Sequence, residues 1–332
     1  MVGLTTLREL GELRVIRILE RSLGTSRYTV VGFGDDVSAI KLPDGKVAVL
    51  KTDMLVGSTD IPPGMTMRQA ASKAVVANVS DLAAKGARPL AGIVALGLPA
   101  SLTKKDIQGI AAGLSTTAKR YRFPFVGGDT NESQDLTISI ALFAVIGKGR
   151  LVLRSGARRG DIIAVTGEFG STSAGLKALL EHGIRPNELP RGLYQAVYNP
   201  HAELDLGLRL ATSGALTASI DSSDGLAWSL HQLSTASGVG MLIDDVPVSS
   251  AAREFAIRYG YRAEDLALYG GEEYHLVVTV KPEKFRFAQK AARGKLRPIG
   301  VVTRRSTGVR LRQAERDVKI AMKGWEHFRR QR

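Results

Sequence analysis

Asp35, Asp36, Asp53, Asp81, Asp129, Asp221 and Asp224 share a setting: most stand beside glycine, serine or threonine, where an expected strand or helix ends. Hard oxygen ligands of this kind suit magnesium, which keeps several waters and bridges carboxylates to substrate phosphates. Together with glycine turns and arginines, they supply what a phosphoryl-transfer site requires. Any one acid could simply cap an element or sit solvated in a loop; that explanation does not cover the recurrence at element after element. Zinc is a poor match, with five histidines and no paired-histidine motif. The absence of cysteine excludes disulfides, thiolate nucleophiles and cysteine-ligated zinc, and no G-x-S-x-G marks a serine hydrolase.

These acids need elements to position them. In VSAIKLPDGKVAVLKT two apolar runs flank Pro43-Asp44-Gly45, a hairpin signal that sets Leu42 against Lys46. Carried back along both strands, that register sets Asp35 opposite Asp53, two carboxylates that repel unless a cation lies between them. The second strand runs into KTDMLVGSTDI, which carries Asp53 and then Asp60. Next, TMRQAASKAVVANVSDLAAKG predicts a buried, alanine-rich helix with a capping box from Thr66 to Gln69 and a stop at Gly86. Asn78 and Asp81 lie three apart on one of its faces, where polar groups without partners cost several kcal/mol. A strand, GIVALGLP, and a helix over about 104–120 lead to FPFVGGDTNES, a strand entering a glycine loop that exposes Asp129. LTISIALFAVIG alternates as a strand that pairs back.

The basic, glycine-punctuated stretch from Gly149 to Gly160 divides the chain into expected domains at 1–149 and 150–332. The second opens with DIIAVTGEFGSTSAGLKALLEHG, a strand, glycine turn and helix that could offer backbone N–H groups to phosphate, although it fits neither the P-loop nor the dinucleotide fingerprint. In LTASIDSSDGLAWSLHQL, Ser223 or Asp224 would serve as an N-cap, which leaves Asp221 and one other polar residue over. LYGGEEYHLVVTV then runs two glutamates into a strand. Both halves share an outline of acidic turns and long helices, without a residue-level repeat. The class is α/β or α+β.

The 332 residues suffice for two domains with sizeable cores, and 44% hydrophobic with 23% charged residues is ordinary for a globular protein. A net charge of +14 raises the question of nucleic acid. The basic residues are spread out, densest at Arg304-Arg305 and Arg329 to Arg332, and aromatics are few at 6%. Nucleic-acid binding is therefore not the expected main role. No apolar run of about 18 residues predicts a membrane helix. The charged start lacks a signal peptide's apolar core, and the cytoplasm is the expected location.

GDDVSAI, TDMLV, ANVSDLAAKGARP, VGGDT, RSGARRGD, VTGEFG, DSSDGL, SGVG and GGEEY follow one another as in the thiamine-monophosphate kinase family, within the superfamily of aminoimidazole ribonucleotide synthetase and selenophosphate synthetase. Each motif is weak alone, but the ordered set spans nearly the whole chain. The resemblance implies a two-domain α/β protein whose N-terminal strands form a barrel across a homodimer interface. It implies ATP-dependent phosphorylation of thiamine monophosphate to thiamine diphosphate with several magnesium ions. By motif, Asp35, Thr52, Asp53, Asp81, Asp129, Asp221 and Asp224 correspond to metal ligands, the five acids Asp35, Asp53, Asp81, Asp129 and Asp221 carrying the catalysis. Gly128, Asp129, Arg154 and Ser223 correspond to ATP contacts, and Glu272 and Trp325 to substrate contacts. Two departures fall in KTDMLVGSTDI: Lys51 stands where many bacterial relatives have serine or threonine, and Asp60 where they have a substrate-contacting histidine. Absence of cysteine argues against selenophosphate synthetase, and the TDMLV and GGEEY contexts argue against aminoimidazole ribonucleotide synthetase. The competing readings are another ATP-using member of the superfamily and a non-catalytic nucleotide-binding or nucleic-acid-binding protein.

Overall fold

A computed structural model describes residues 6–147, 149–314 and 316–324. The first sheet holds β1 (Thr29–Val31), β2 (Ser38–Lys41), β3 (Val47–Val56), β4 (Pro89–Leu98), β5 (Phe125–Glu132) and β6 (Thr137–Ile146). Their order is β1-β2-β3-β6-β4-β5. The β4–β5 pair is parallel, joined by the crossover helix Lys104–Tyr121; the other pairs are antiparallel. The sheet is open, with β1 and β5 at its edges.

The second sheet holds β7 (Ile162–Val165), β8 (Leu216–Asp221), β9 (Gly240–Ile243), β10 (Leu276–Val280), β11 (Arg297–Thr303), β12 (Val309–Leu311) and β13 (Val318–Lys319). Its order is β13-β12-β9-β11-β7-β10-β8, mostly antiparallel with a parallel β9–β12 pair. Together the two sheets and their helices make a mixed α/β fold of two units.

The helix Met67–Lys85 joins the units. Thr66 and Gln69 form the capping box, and Gly86 ends the helix in the left-handed conformation at φ 68°. It packs on β3 and β6 of the first sheet, on β8 of the second, and on the helix Leu204–Thr212. Contact on so many sides explains its many alanines: a Cβ on Gly207 would come within 2.1 Å of the Ala83 carbonyl oxygen. Small residues let these helices cross closely enough to exclude water.

The hairpin has the expected register, with Leu42 N–H bonded to the Lys46 carbonyl at 2.9 Å and Lys41 paired with Val47. The pairing stops at Ser38, opposite Leu50. Beyond that point the chain leaves the sheet, so the expected opposition of Asp35 and Asp53 does not form.

Strand alternation sorts β3 into two faces. Lys51 and Asp53 pair with Leu142 and Ile140, which are buried beneath the central helix. Thr52 and Met54 point to the other face, where Ile40, Leu50, Ile93 and Phe143 are also exposed. VGGDT also departs from expectation. It lies within the edge strand β5 and not in a glycine loop. Gly128 sits so close to β4 that a Cβ there would meet the Val94 carbonyl oxygen at 2.0 Å.

Candidate active site

The acids gather where β8, the segment before β2 and the central helix meet. One oxygen each from Asp36, Asp81 and Asp221 lies within 4.8 Å of the others, and all three residues are buried. Asp81 reaches the group from the helix and Asp221 from the end of β8. Asp36 ends the sharp GDD turn, placed by main-chain geometry that sequence alone shows poorly. The resemblance points to its neighbour Asp35, whose carboxylate takes Lys85 and the Arg154 N–H.

Such convergence needs compensation, and three cations supply part of it. Lys85 Nζ, wholly buried, lies 2.7 Å from Asp35 Oδ1 and 2.8 Å from Asp36 Oδ2, and donates to the Ser219 carbonyl at 2.7 Å. Arg154 donates from Nε to Asp36 Oδ1 at 2.6 Å, also contacts it through Nη2, and offers its backbone N–H to Asp35 Oδ2 at 2.9 Å. Lys51 Nζ stands 2.8 Å from Asp81 Oδ2 and 3.9 Å from Asp53 Oδ2. In sequence Lys85 reads as a last-turn lysine complementing the helix dipole; only the tertiary fold shows that it is an internal counter-ion.

The compensation is uneven. Burial alone would raise the Asp36 carboxyl, but Lys85 and Arg154 hold it below its ordinary range. Burial raises Asp81 well above the carboxylate range despite Lys51, with Asp221, Asp36 and Asp53 adding to the rise. Asp221 is pushed up to about 6 by burial and then by Asp36, and Asp224 to about 7 by burial and then by Asp221. Asp221 Oδ2 and Asn78 Oδ1 are buried without a hydrogen-bond partner. Orphaned acceptors and carboxylates forced toward protonation are what a hard cation would relieve, so the donor set fits magnesium.

A second cluster adjoins the first. Lys73 Nζ lies 2.5 Å from Glu272 Oε1 and donates to the Asp60 carbonyl at 2.8 Å. Asp60 and Glu272, both expected at the substrate, are thereby brought together by a lysine that no sequence motif marks. The Asp60 carboxylate accepts the Val56 N–H at 2.7 Å, closing its own turn. Glu272 and Tyr274 adopt left-handed backbone at φ 63° and 56°, a costly conformation outside glycine. It is held by main-chain bonds from Glu272 N–H to the Ser223 carbonyl at 2.6 Å and from Tyr274 N–H to the Ser222 carbonyl at 3.0 Å.

Other expectations are corrected here. At the start of the helix Ser171–Leu180 two of the N–H groups are already taken: Glu273 Oε1 accepts from Gly170 at 2.7 Å and Thr172 at 3.1 Å. Neither Ser223 nor Asp224 caps the helix Leu226–Ser237, whose N-cap is Gly225 at φ 110° without a side-chain bond. Asp129 stands on β5, three strands from β3, roughly 14 Å along a sheet with ordinary spacing. Pairing with Ala95 puts it on the outer face with Thr52, so within one chain neither side chain joins the cluster. Trp325 lies outside the described residues.

The two mixed α/β units, each built on its own sheet, make an AIR synthase-like fold. The family model for "AIR synthase related protein, N-terminal domain" matches residues 34–146. Across almost its whole length the chain is 35% identical to a thiamine-monophosphate kinase of Nitrosopumilus maritimus, covering 97% of this chain and 99% of that one. A Pyrococcus abyssi thiamine-monophosphate kinase is 36% identical over 92% of this chain and 94% of its own. The chain belongs to the thiamine-monophosphate kinase family. Among solved structures, AaThiL complexed with AMPPCP and TMP superposes with a TM-score of 0.84 at 29% identity, over 98% of this chain and 100% of that chain. The HypE-HypF complex, at 22% identity and a TM-score of 0.73 over 92% of this chain and 99% of that chain, shares the fold.

Proposed function

We infer that this chain is an ATP-dependent kinase that phosphorylates thiamine monophosphate to thiamine diphosphate. The observation that carries the reading is the convergence of Asp36, Asp81 and Asp221 from both units, in a chain whose relatives are thiamine-monophosphate kinases. A structural relative holds AMPPCP and TMP together. The acceptor is a phosphate oxygen already ionised at neutral pH, so the site needs no strong general base. Positioning and charge neutralisation are the work required of it.

Several magnesium ions belong to this reading. Asp36, Asp81 and Asp221 would hold them, with Asp35, Asp53 and Asp224 alongside and any part played by Thr52 falling to its main chain. Magnesium there would neutralise nucleotide phosphate charge. Arg154, Gly128, Asp129 and Ser223 are assigned to ATP. The Arg154 guanidinium, oriented by Asp36, can keep that bond while facing an anion. Glu272, with Asp60 and Trp325, is assigned to the thiamine end, where an acid offsets the cationic ring. Lys73 fixes the Glu272 carboxylate.

The exposed apolar residues Ile40, Leu50, Met54, Ile93 and Phe143 on the outer sheet face support a homodimer whose paired sheets complete a barrel. Asp129 and Thr52 lie on that same face. We place the domain boundary at 149–150, between β6 and β7, and the enzyme in the cytoplasm, where ATP is held.

The test is direct: protein, magnesium, ATP and thiamine monophosphate should yield thiamine diphosphate and ADP. Asp53→Ala should lower turnover. No product from the wild type, with ATP still bound, would sink the reading, and equal phosphorylation of thiamine would overturn the acceptor assignment.

A further inference from the structure

Lys51 sits where the strand's alternation turns its side chain inward, beside Asp53 and under the central helix. Its ammonium is 2.8 Å from Asp81 Oδ2 and 3.9 Å from Asp53 Oδ2, with only 15% of the side chain exposed. Asp81 is at the same time one of the three convergent acids. The other cations of the cluster are committed elsewhere: Lys85 to Asp35, Asp36 and the Ser219 carbonyl, and Arg154 to Asp35 and Asp36. Among the described residues, Lys51 is the cation with an ion-pair contact to both Asp53 and Asp81.

An ammonium at hydrogen-bond distance from Asp81 and a divalent ion bridging Asp81 to Asp53 would need the same space. Two cations in contact also repel strongly in a site shielded from water. We propose that the Lys51 ammonium is a resident cation that takes the place of one divalent ion between Asp53 and Asp81. The site therefore works with one bound divalent ion fewer than it would hold with a neutral residue at position 51. The lysine is tethered, so that charge is present before any ion or nucleotide arrives, and it cannot be removed by chelation. This inference rests on the reading that the acids hold divalent cations.

The experiment counts Mn2+ bound to the nucleotide-free protein by the loss of the free-ion electron paramagnetic resonance signal. Lys51→Met removes the charge at similar volume. Lys51→Thr removes the charge and adds a hydroxyl ligand, while Lys51→Arg keeps the charge. The Met and Thr variants are expected to bind one more Mn2+ per chain than wild type, and the Arg variant the wild-type number. Melting temperatures give a second readout, showing also that each variant is folded. Without metal the Met and Thr variants should melt below wild type, and added Mn2+ should recover more of that loss than it adds to wild type. Equal Mn2+ counts in all four folded proteins would make Lys51 a structural ion pair only and overturn the proposal. Absence of Mn2+ binding by wild type and every variant would overturn the metal reading and this inference with it.

Discussion

Lys73 on the central helix and Glu272 in the second unit form a 2.5 Å ion pair, and the same lysine holds the Asp60 carbonyl. Residues 60, 73 and 272 are thereby gathered into one wall of the site. Glu272→Gln removes the charge facing the thiamine end while keeping the shape. The expected outcome is a rise of at least about tenfold in KM for thiamine monophosphate, from the ~1.5–3 kcal/mol of a hydrogen bond to a charged group, with KM for ATP little changed. Lys73→Met should shift the same constant by freeing the glutamate. Steady-state kinetics with each substrate varied in turn would show it, and equal shifts in both KM values would argue against a substrate-end role.

The buried lysine Lys85 answers two carboxylates at once. Lys85→Met removes the lysine from both and leaves Arg154 to serve Asp36 through its guanidinium and Asp35 through its main-chain N–H, at a cost of about 3–5 kcal/mol. Urea unfolding should show that loss. Adding Asp36→Asn should restore part of it, because the second change removes one of the two charges that the lysine balanced. A single variant within about 0.5 kcal/mol of wild type, the range of ordinary surface changes, would contradict the burial of this pair.

Metal-free protein carries an unusual pH signature. Burial first, and then neighbouring acids, raise Asp221 to about 6 and Asp224 to about 7 from an ordinary 3.8. A carboxyl held higher in the folded than in the unfolded chain binds its proton more tightly when folded. Its contribution is therefore full below the unfolded value and is lost as pH rises through the folded one. These two groups should take several kcal/mol from stability between about pH 4 and pH 7. Thermal melting of wild type against Asp221→Asn, both in chelator, isolates the effect: the wild type should lose more on going from pH 4 to pH 7. Magnesium at pH 7 should return most of the difference.

The outer sheet face gives an association test. Leu50 and Met54 are exposed there beside Phe143, and Leu50→Lys with Met54→Lys puts two charges into the patch. Light scattering should show the mass fall from two chains to one without loss of secondary structure. An unchanged mass would move the interface elsewhere.

Local signals carried much of the fold. The turn at Pro43-Asp44-Gly45 set the hairpin register correctly, because turn type fixes pairing within a few residues. The capping box at Thr66 and the stop at Gly86 bounded the central helix to the residue. What failed was the step from register to proximity: the count that set Asp35 against Asp53 is sound, but the chain quits the sheet at Ser38. Glycines misled twice. VGGDT looks like a loop but is an edge strand whose glycine admits its neighbour closely, and the turn before Ser171 looks open to phosphate but receives Glu273 from a hundred residues away. At the site Asp81, Asp221 and Arg154 stand out by motif, and Lys73 and Lys85 do not. An aspartate at an element's end stands out in sequence, whereas Lys73 and Lys85 become counter-ions only when distant segments meet.

Lys73 and Lys85 stand twelve residues apart on one helix, about 18 Å along its axis, and each is bound to the second unit, one through Glu272 and the other through the Ser219 carbonyl. A body pinned at two separated points cannot swing about either. Opening the seam like a hinge would break both attachments at once, leaving Lys73 with the Asp60 carbonyl and Lys85 with Asp35 and Asp36. The two units therefore have to melt together. Calorimetry of the full chain should show one transition, and a fragment ending near residue 149 would carry Lys73 without Glu272 and Lys85 without the Ser219 carbonyl.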